Sequence, residues 1–338
     1  MIRVLSIFGT RPEAVKMAPV VRQLARTDGI ESLVCVTAQH REMLDQVLRL
    51  FAIKPDVDLD LMQPGQTLAG LTARVFTHLD PVLSDLEPDW VLAQGDTTTV
   101  MAAALNAYYH QIKVGHVEAG LRTGDKWQPF PEEINRRVAG VTADLHFAPT
   151  AWSRDNLLRE NVPAEKIVVT GNTVIDALQW VAQKPAPSLP IPEMPRYVAV
   201  TAHRRENHGP PLEAICQALL ALAETYRDDV QFVYPVHLNP RVQEPVYRLL
   251  DGVPNITLLP PLDYLPMVHL LKRSTLVLTD SGGLQEEAPG LGVPVLVLRE
   301  VTERPEGIEA GTVRLVGTDR DRIIGEVRRL LDDSDAHA

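Results

Sequence analysis

The sequence is poor in the features that mark disulfide-rich, membrane and nucleic-acid-binding proteins. It has two cysteines in 338 residues, Cys35 and Cys216, and their apolar surroundings predict buried thiols in a reducing compartment. No apolar run approaches the ~20 residues of a membrane-spanning helix. No block of Lys and Arg is present and the formal net charge is −11, so we expect no nucleic-acid partner and no membrane partner.

Several motifs of nucleotide and metal enzymes are also absent. The chain has no G-x-G-x-x-G after a strand, no G-x-x-x-x-G-K-[ST] loop, no H-E-x-x-H pair and no G-x-S-x-G nucleophile elbow. We therefore expect no cofactor and no metal ion. The segment Met1–Phe8 is too short for the apolar part of a secretory signal, which predicts a cytoplasmic protein.

The remaining pattern is a regular alternation of short apolar runs and amphipathic stretches. With 45% apolar and 23% charged residues, it predicts a soluble α/β protein with two Rossmann-like, doubly wound domains. The predicted strands are Val4–Phe8, Leu33–Thr37, Trp90–Ala93, Lys113–Val117, Leu145–Phe147, Ile167–Val169, Tyr197–Thr201, Phe232–Pro235, Ile256–Leu259, Leu276–Thr279, Val295–Leu298 and Val313–Val316.

A proline-rich segment separates the two halves. Lys184–Pro195 holds five prolines in twelve residues, which excludes a helix interior or a central strand and favours a stiff, extended linker. We predict an N-terminal domain over 1–172, a hinge and linker over 173–196, a nucleotide-binding C-terminal domain over 197–320, and a C-terminal helix and tail over 321–338.

Unusual polar segments follow several predicted strands at the point where each strand ends. Ligands bind outside the carboxyl ends of the strands in open α/β sheets, so we expect these segments to line one cleft between facing domains. The segments are Gly9–Arg11, Gln94–Asp96, Glu118–Gly120, His203–Glu206 and Ser281–Gly283.

The segment Asp280–Gly283 predicts a cradle for a nucleotide diphosphate. Its glycines allow backbone N–H groups to approach an anion at the start of a short helix. Glu286 and Glu287 follow, and a carboxylate there suits a hydroxyl-rich group such as a ribose. The alternative is a capped helix with acidic residues in its first turn.

In the first half, each candidate also has a structural alternative. Thr10–Glu13 is a capping box, but that does not explain Arg11 and Lys16, two cations at a helix N-terminus where the dipole disfavours them. Asp96 has the alternative of a plain helix N-cap. Glu118 follows an apolar strand, which predicts a partly buried carboxylate and an acid/base candidate.

Glutamates and histidines complete the candidates. Glu132 opens a predicted helix, where acidic residues are routine, and the structural alternative is stronger for it. His203 ends a strand beside Arg204, which favours an anion site, and His237 ends the next strand.

Taken together, these motifs resemble those of the non-hydrolysing UDP-N-acetylglucosamine 2-epimerases, in order from about residue 3 to residue 331. The segments that carry the resemblance are Phe8–Pro19, Gly95–Thr99, Gly115–Gly124, Pro129–Arg136, His203–Asn207, Val236–Pro240, Asp280–Pro289, Thr302–Glu306 and Gly311–Gly317.

The resemblance implies a GT-B-like pair of domains, a homodimer, and no metal or nicotinamide. It implies reversible conversion of UDP-GlcNAc to UDP-ManNAc for bacterial surface polysaccharides, through elimination of UDP to a 2-acetamidoglucal and its re-addition. We also keep three alternatives: a hydrolysing relative that releases UDP and ManNAc, a GT-B glycosyltransferase, and an inactive sugar-nucleotide sensor.

The resemblance also implies roles for individual residues. The carboxylates of Asp96, Glu118 and Glu132 would handle protons, and His203 would stabilise the leaving phosphate. The implied substrate-binding residues are Arg11, Lys16, Ser281, Gly282, Gly283, Glu287 and Arg304. A second UDP-GlcNAc as activator would be bound by Gln39, His40, Arg74, Arg204 and His237.

The sequence departs from the family pattern at three places. Gln94 stands where many members have His, and Met267 where an aromatic residue is frequent. The family normally continues with an N-P-Y-G-D-G segment and a helix that crosses back to the first domain, where this sequence ends in Asp332–Ala338. We expect domain closure and stability to be affected if that segment is missing.

Overall fold

The structure is a computed structural model of the chain and describes residues 1–38, 41–63, 65–302 and 304–337. It divides into two compact units, Met1–Ala177 and Leu178–Ala338. Each unit is built on its own parallel sheet with helices between successive strands, which confirms the predicted α/β class.

The first unit has a seven-stranded sheet. Its strands are β1 (Ile2–Phe8), β2 (Ile30–Val36), β3 (Val57–Asp58), β4 (Trp90–Gln94), β5 (Lys113–Val117), β6 (Leu145–Ala148) and β7 (Ile167–Val169). Its helices are α1 (Arg11–Leu24), α2 (Arg41–Phe51), α3 (Leu68–Leu86), α4 (Thr98–Tyr109), α5 (Glu132–Thr142), α6 (Ala151–Arg159) and α7 (Thr173–Ala182), the last of which crosses the division between the units. The strand order is β3-β2-β1-β4-β5-β6-β7, so β1 and β4 flank the crevice where such sheets bind ligands.

The second unit has a six-stranded sheet. Its strands are β8 (Arg196–Thr201), β9 (Val230–Pro235), β10 (Ile256–Leu259), β11 (Leu276–Thr279), β12 (Val295–Val297) and β13 (Val313–Leu315). Its helices are α8 (Pro210–Thr225), α9 (Pro240–Leu250), α10 (Tyr264–Arg273), α11 (Leu284–Glu287), α12 (Pro305–Glu309), α13 (Arg320–Asp332) and α14 (Ser334–His337). The order is β10-β9-β8-β11-β12-β13, which places the corresponding crevice between β8 and β11.

The central strands are buried because helices cover both faces of each sheet. Every residue of β9 and of β11 is buried, as expected of apolar strands in a parallel sheet. Helix α8 packs on the second sheet through an apolar face with spacings of three and four, and that face lies in the core. The face consists of Leu212, Ile215, Leu219, Leu222 and Tyr226.

All the predicted strands are present, with ends that differ by up to three residues. The structure adds β3, a two-residue edge strand with no pattern to reveal it. In the proline-rich segment, Leu189, Ile191 and Met194 pack against the core of the second unit, so the segment is anchored there. Both cysteines are buried and unpaired, and burial raises the pKa of each thiol to about 12. Within the described residues, no helix has the length and apolar character needed to span a bilayer.

Candidate active site

The turn from β1 into α1 is fixed by a capping box. The Oε2 atom of Glu13 accepts the backbone N–H groups of Gly9 at 2.8 Å and Thr10 at 2.7 Å. Its Oε1 atom accepts the hydroxyl of Thr97 at 2.5 Å, and burial raises the pKa of Glu13 while these hydrogen bonds lower it. The structural alternative is therefore correct for Thr10 and Glu13, which hold the turn that presents Arg11.

Glu118 lies directly after β5 and is only 8% exposed. Lys16 of α1 donates to its Oε1 atom at 2.5 Å, Asn172 donates to the same atom at 3.0 Å, and the side-chain amide of Gln94 donates to Oε2. Lys16 therefore has an anionic partner inside the first unit, which accounts for a cation in the first turns of a helix. The backbone of Glu118 is left-handed, with φ of +62°. That conformation is uncommon for a residue other than glycine and carries some backbone strain.

Asp96 lies beside this cluster, after the left-handed Gly95 at φ +85°. Its Oδ2 atom accepts a bond of 2.5 Å from Arg136, and its carbonyl accepts the amide of Asn135 at 2.9 Å. Burial raises the pKa of Asp96, the Arg136 guanidinium lowers it, and the negative charge of Glu118 raises it again. Asp96 is not the N-cap of α4, because Thr97 caps that helix through the N–H of Val100.

The two glutamates that open α5 differ sharply. Glu133 is fully buried, forms ion pairs with Arg136 and Arg137, and accepts the N–H groups of Thr123 and Gly124. Glu132 is partly exposed and, among the described residues, has no ion pair or side-chain hydrogen bond. The structure thus makes Glu132 available for a ligand, while Glu133 holds the turn before α5.

Asp280 organises the ligand-facing end of the second sheet. It is completely buried, and its Oδ2 atom accepts the backbone N–H groups of His203 and Arg204, both at 2.8 Å, and the amide of Asn207 at 3.0 Å. The turn after β8 is therefore fastened to the residue that follows β11. A buried carboxylate with several such bonds fixes loop geometry firmly.

His203 stands between this carboxylate and another imidazole. Its Nδ1 atom lies 3.5 Å from Asp280 Oδ1, and its ring stacks on that of His237 at 5.2 Å with an interplanar angle of 12°. Burial lowers the pKa of His203, Asp280 raises it, and His237 and Arg204 lower it further. The imidazole is therefore predominantly neutral at pH 7.

The glycine turn of the second unit lies against two arginines. A Cβ atom on Gly282 would lie 2.8 Å from Arg304 Nη1 and 3.5 Å from an Nη atom of Arg204. Arg304 also bonds Glu286, one of the two acidic residues proposed near the ribose. Two guanidinium groups and the Glu286 carboxylate therefore lie close to Gly282, while Gly283 precedes α11 and Glu287 ends it.

The candidate activator residues fall into three groups. Gln39 and His40 lie outside the described residues. Arg74 of α3 donates to the Leu61 carbonyl at 3.3 Å and to Gln66, so it belongs to the first unit. Arg204 and His237 belong to the second unit, beside Gly282 and His203 respectively.

Sequence reasoning missed residues that act through others. Arg136 holds Asp96, Asn172 holds Glu118, and Asp280 holds the His203 turn. Asn172 before α7 carried a helix N-cap signal, but nothing in the sequence linked it to a residue 54 positions away. Within the described ranges, no group of three or more His, Cys, Asp or Glu side chains is arranged to hold a metal ion.

Comparison with known proteins identifies the family. The sequence profile described as UDP-N-acetylglucosamine 2-epimerase matches residues 22–338. The chain is 57% identical to the UDP-N-acetylglucosamine 2-epimerase of Yersinia pestis and 56% identical to that of Escherichia coli K12, covering 99% of this chain and 92% of each relative.

Solved structures agree. The UDP-GlcNAc 2-epimerase of Neisseria meningitidis bound to UDP-GlcNAc superposes with a TM-score of 0.91 at 49% identity, covering 99% of this chain and 93% of that one. The Methanocaldococcus jannaschii UDP-GlcNAc 2-epimerase in complex with UDP-GlcNAc and UDP gives 0.83 at 34% identity, covering 98% and 94%. The chain therefore belongs to the UDP-N-acetylglucosamine 2-epimerase family.

Proposed function

We propose that the protein interconverts UDP-GlcNAc and UDP-ManNAc by inverting C2 of the sugar, without net hydrolysis. One observation carries the proposal: Glu118, held by three hydrogen-bond donors, lies beside Asp96, whose pKa burial raises. Two neighbouring carboxyl groups in different surroundings can serve the two tasks of proton removal and proton delivery.

The reaction needs both proton removal and proton delivery by the protein, because the C2 hydrogen of a pyranose has no adjacent carbonyl and is not acidic. The C1–O bond breaks with its electron pair going to the UDP phosphate, a base takes the C2 proton, and a C1=C2 double bond forms in a 2-acetamidoglucal. For the return, an acid protonates the opposite face of C2 while a UDP oxygen bonds C1. Substrate and product therefore balance without any redox cofactor.

The two units supply different groups. In the first, Asp96, Glu118 and Glu132 handle protons, and Arg11 and Lys16 contact the substrate. In the second, Ser281, Gly282, Gly283 and Arg304 bind the diphosphate and Glu287 the ribose. Preorganised cations and amides that meet negative charge as it develops on the leaving phosphate are the strongest stabilising groups in such a site.

His203 is assigned to the leaving phosphate. Since burial keeps its imidazole neutral at pH 7, it donates a neutral hydrogen bond to the ground state. As negative charge builds on the phosphate, that hydrogen bond strengthens and the neighbouring Asp280 favours a developing positive charge on the ring.

The proposal extends to assembly and regulation. We propose a cytoplasmic homodimer that needs no cofactor, and a second UDP-GlcNAc as activator at Gln39, His40, Arg74, Arg204 and His237. Support for the activator site is the proximity of Arg204 to Gly282 and of His237 to His203, which would join it to the diphosphate groups.

Product analysis tests the function. The purified protein is incubated with UDP-GlcNAc and the sugars are followed by NMR. We expect UDP-ManNAc to accumulate to an equilibrium mixture with all UDP still attached to sugar. Stoichiometric release of UDP with free ManNAc would instead identify a hydrolysing enzyme, and tight binding with no conversion would identify a sensor.

A further inference from the structure

Asn172 occupies a special place in the chain. It precedes α7, the helix within which the chain passes from the first unit to the second. It follows Gly171, whose φ of +80° turns the chain after β7. Asn172 therefore belongs to the first unit and lies directly before the helix that continues into the second.

The oxygen and the nitrogen of the Asn172 side-chain amide have different hydrogen-bond partners. Its Oδ1 atom accepts the backbone N–H of Val174 at 3.1 Å, which caps the first turn of α7. Its Nδ2 atom donates to Glu118 Oε1 at 3.0 Å. One planar group thus joins the start of α7 to the buried carboxylate.

The contacts of Glu118 show what this donor does. Lys16 and Asn172 share Oε1, and the Gln94 amide donates to Oε2. These three contacts all come from donors, so they favour the unprotonated carboxylate and fix its orientation. Two of the three donors are neutral amides that cannot titrate, so their contribution is the same at every pH where the protein is folded.

From this arrangement we infer that Asn172 is a positioning residue that couples the start of α7 to Glu118. The amide orients the carboxylate toward the substrate and keeps it ready to accept a proton. Displacement of the first turn of α7 would move the amide away from Glu118 Oε1, so that the carboxylate is less firmly oriented and its pKa rises. The inference rests on the proposed function, because it assigns Glu118 as the proton acceptor.

Replacement of Asn172 by Asp separates the two tasks. Aspartate is as good an N-cap as asparagine, so Asn172→Asp keeps the cap on α7 and the melting temperature stays within a few degrees. The donor to Glu118 is lost and a second carboxylate takes its place. Two adjacent carboxylates resist double ionisation, so Glu118 is unprotonated only at higher pH.

The readouts are C2 deuterium exchange in D₂O with UDP-GlcNAc, its pH dependence, and UDP affinity by calorimetry. For Asn172→Asp we expect kcat for exchange at pH 7 to fall on the order of tenfold or more, with UDP affinity unchanged. The acid limb of the kcat/KM profile should move to higher pH by about one unit or more, so that activity recovers partly at alkaline pH. Asn161→Asp, the same change at an exposed site of the first unit, is the control and should behave as wild type.

The outcomes separate this inference from the proposed function. Wild-type protein that converts UDP-GlcNAc, with an Asn172→Asp variant of unchanged rate or of reduced rate with an unshifted profile, overturns the role of Asn172 alone. Wild-type protein that shows neither conversion nor exchange overturns the proposed function itself, and the role of Asn172 with it.

Discussion

Adjacent residues of the same type serve different purposes at the start of α5. Glu133 is fully enclosed by two arginines and two backbone N–H groups, whereas Glu132 is partly exposed. The sequence indicated acidic residues at a helix start, but it could not say which one is enclosed. Burial depends on the turn that precedes the helix, and the contacts of that turn are not local.

The pair Glu132→Gln and Glu133→Gln tests this difference. Glu132→Gln should lower kcat by about 10²-fold or more, because the proposed mechanism uses Glu132 as a proton carrier, and leave the free energy of unfolding unchanged. Glu133→Gln should lower the free energy of unfolding by about 2 kcal/mol, because charge-assisted bonds from arginines are lost. Urea unfolding and turnover of both variants check it, and an equal loss of stability in both would contradict the assignment.

The absence of a side chain at Gly282 determines where the Arg304 guanidinium can lie. Its missing Cβ leaves room for Arg304 Nη1, which a methyl group would approach to 2.8 Å. Gly282→Ala should displace the guanidinium and weaken UDP binding about tenfold or more, since a charge-assisted contact to phosphate is worth about 1.5–3 kcal/mol.

Calorimetric titration with UDP measures this effect. Gly325→Ala is the matched control, because Gly325 lies in α13 and an added Cβ there meets no atom within 4 Å. The control should bind UDP as the wild type does. Equal affinity of Gly282→Ala and wild type would show that Arg304 does not hold the diphosphate.

Residue positions were predictable where chemistry and chain position coincide. Asp96, Glu118 and His203 follow strands, and the structure places each just beyond the carboxyl end of its strand. The groups that hold them, such as Arg136 and Asn172, are separated from them by 40 and 54 positions, so only the fold reveals the pairing.

At the scale of elements, two buried histidines lie side by side on β5 and β6. His116 and His146 are register partners, and both are 1% exposed. The Nε2–H group of His116 donates to the Gly95 carbonyl at 2.7 Å, whereas its Nδ1 atom has no hydrogen-bond partner among the described residues. Burial lowers the pKa of each imidazole to about 4. Both imidazole rings of the folded protein are therefore neutral at pH 7.

The low pKa values of these two histidines lower the free energy of unfolding in acid. Below the ordinary pKa of 6.5 the unfolded chain takes up protons that the folded protein does not accept until about pH 4, so the free energy of unfolding falls as pH falls through that window. His146→Phe removes one of the two groups. Urea unfolding at pH 7 and pH 4.5 should show a loss about 2 kcal/mol smaller in the variant than in wild type.

An equal loss in both proteins would contradict the account, because it would mean that His146 takes up a proton as readily in the folded protein as in the unfolded chain.

Elements themselves were predictable from periodicity. The strands of both sheets are apolar runs bounded by turn residues, and the α8 face follows a helical spacing. The two-residue β3 was not predictable, because its pairing depends on its neighbour β2 instead of on its own residues. Helix α11 is short because Pro289 follows it closely.

At the scale of the whole molecule, the sequence indicated two doubly wound halves, and the structure has two such units. The units divide inside α7, while the proline-rich segment is packed on the second unit through Leu189, Ile191 and Met194. Composition marked the stiff segment but not its anchoring, which depends on apolar side chains between the prolines. The cleft between facing domains stays a prediction.

The central claim is that the protein exchanges the C2 hydrogen of a nucleotide sugar through a glucal intermediate. The most direct measurement is conversion of UDP-GlcNAc in D₂O, with deuterium at C2 of each sugar nucleotide followed by NMR and mass spectrometry. The account predicts UDP-ManNAc that carries one deuterium at C2, and UDP-GlcNAc that gains deuterium as equilibrium is approached. UDP-ManNAc formed with its original hydrogen at C2 would contradict it.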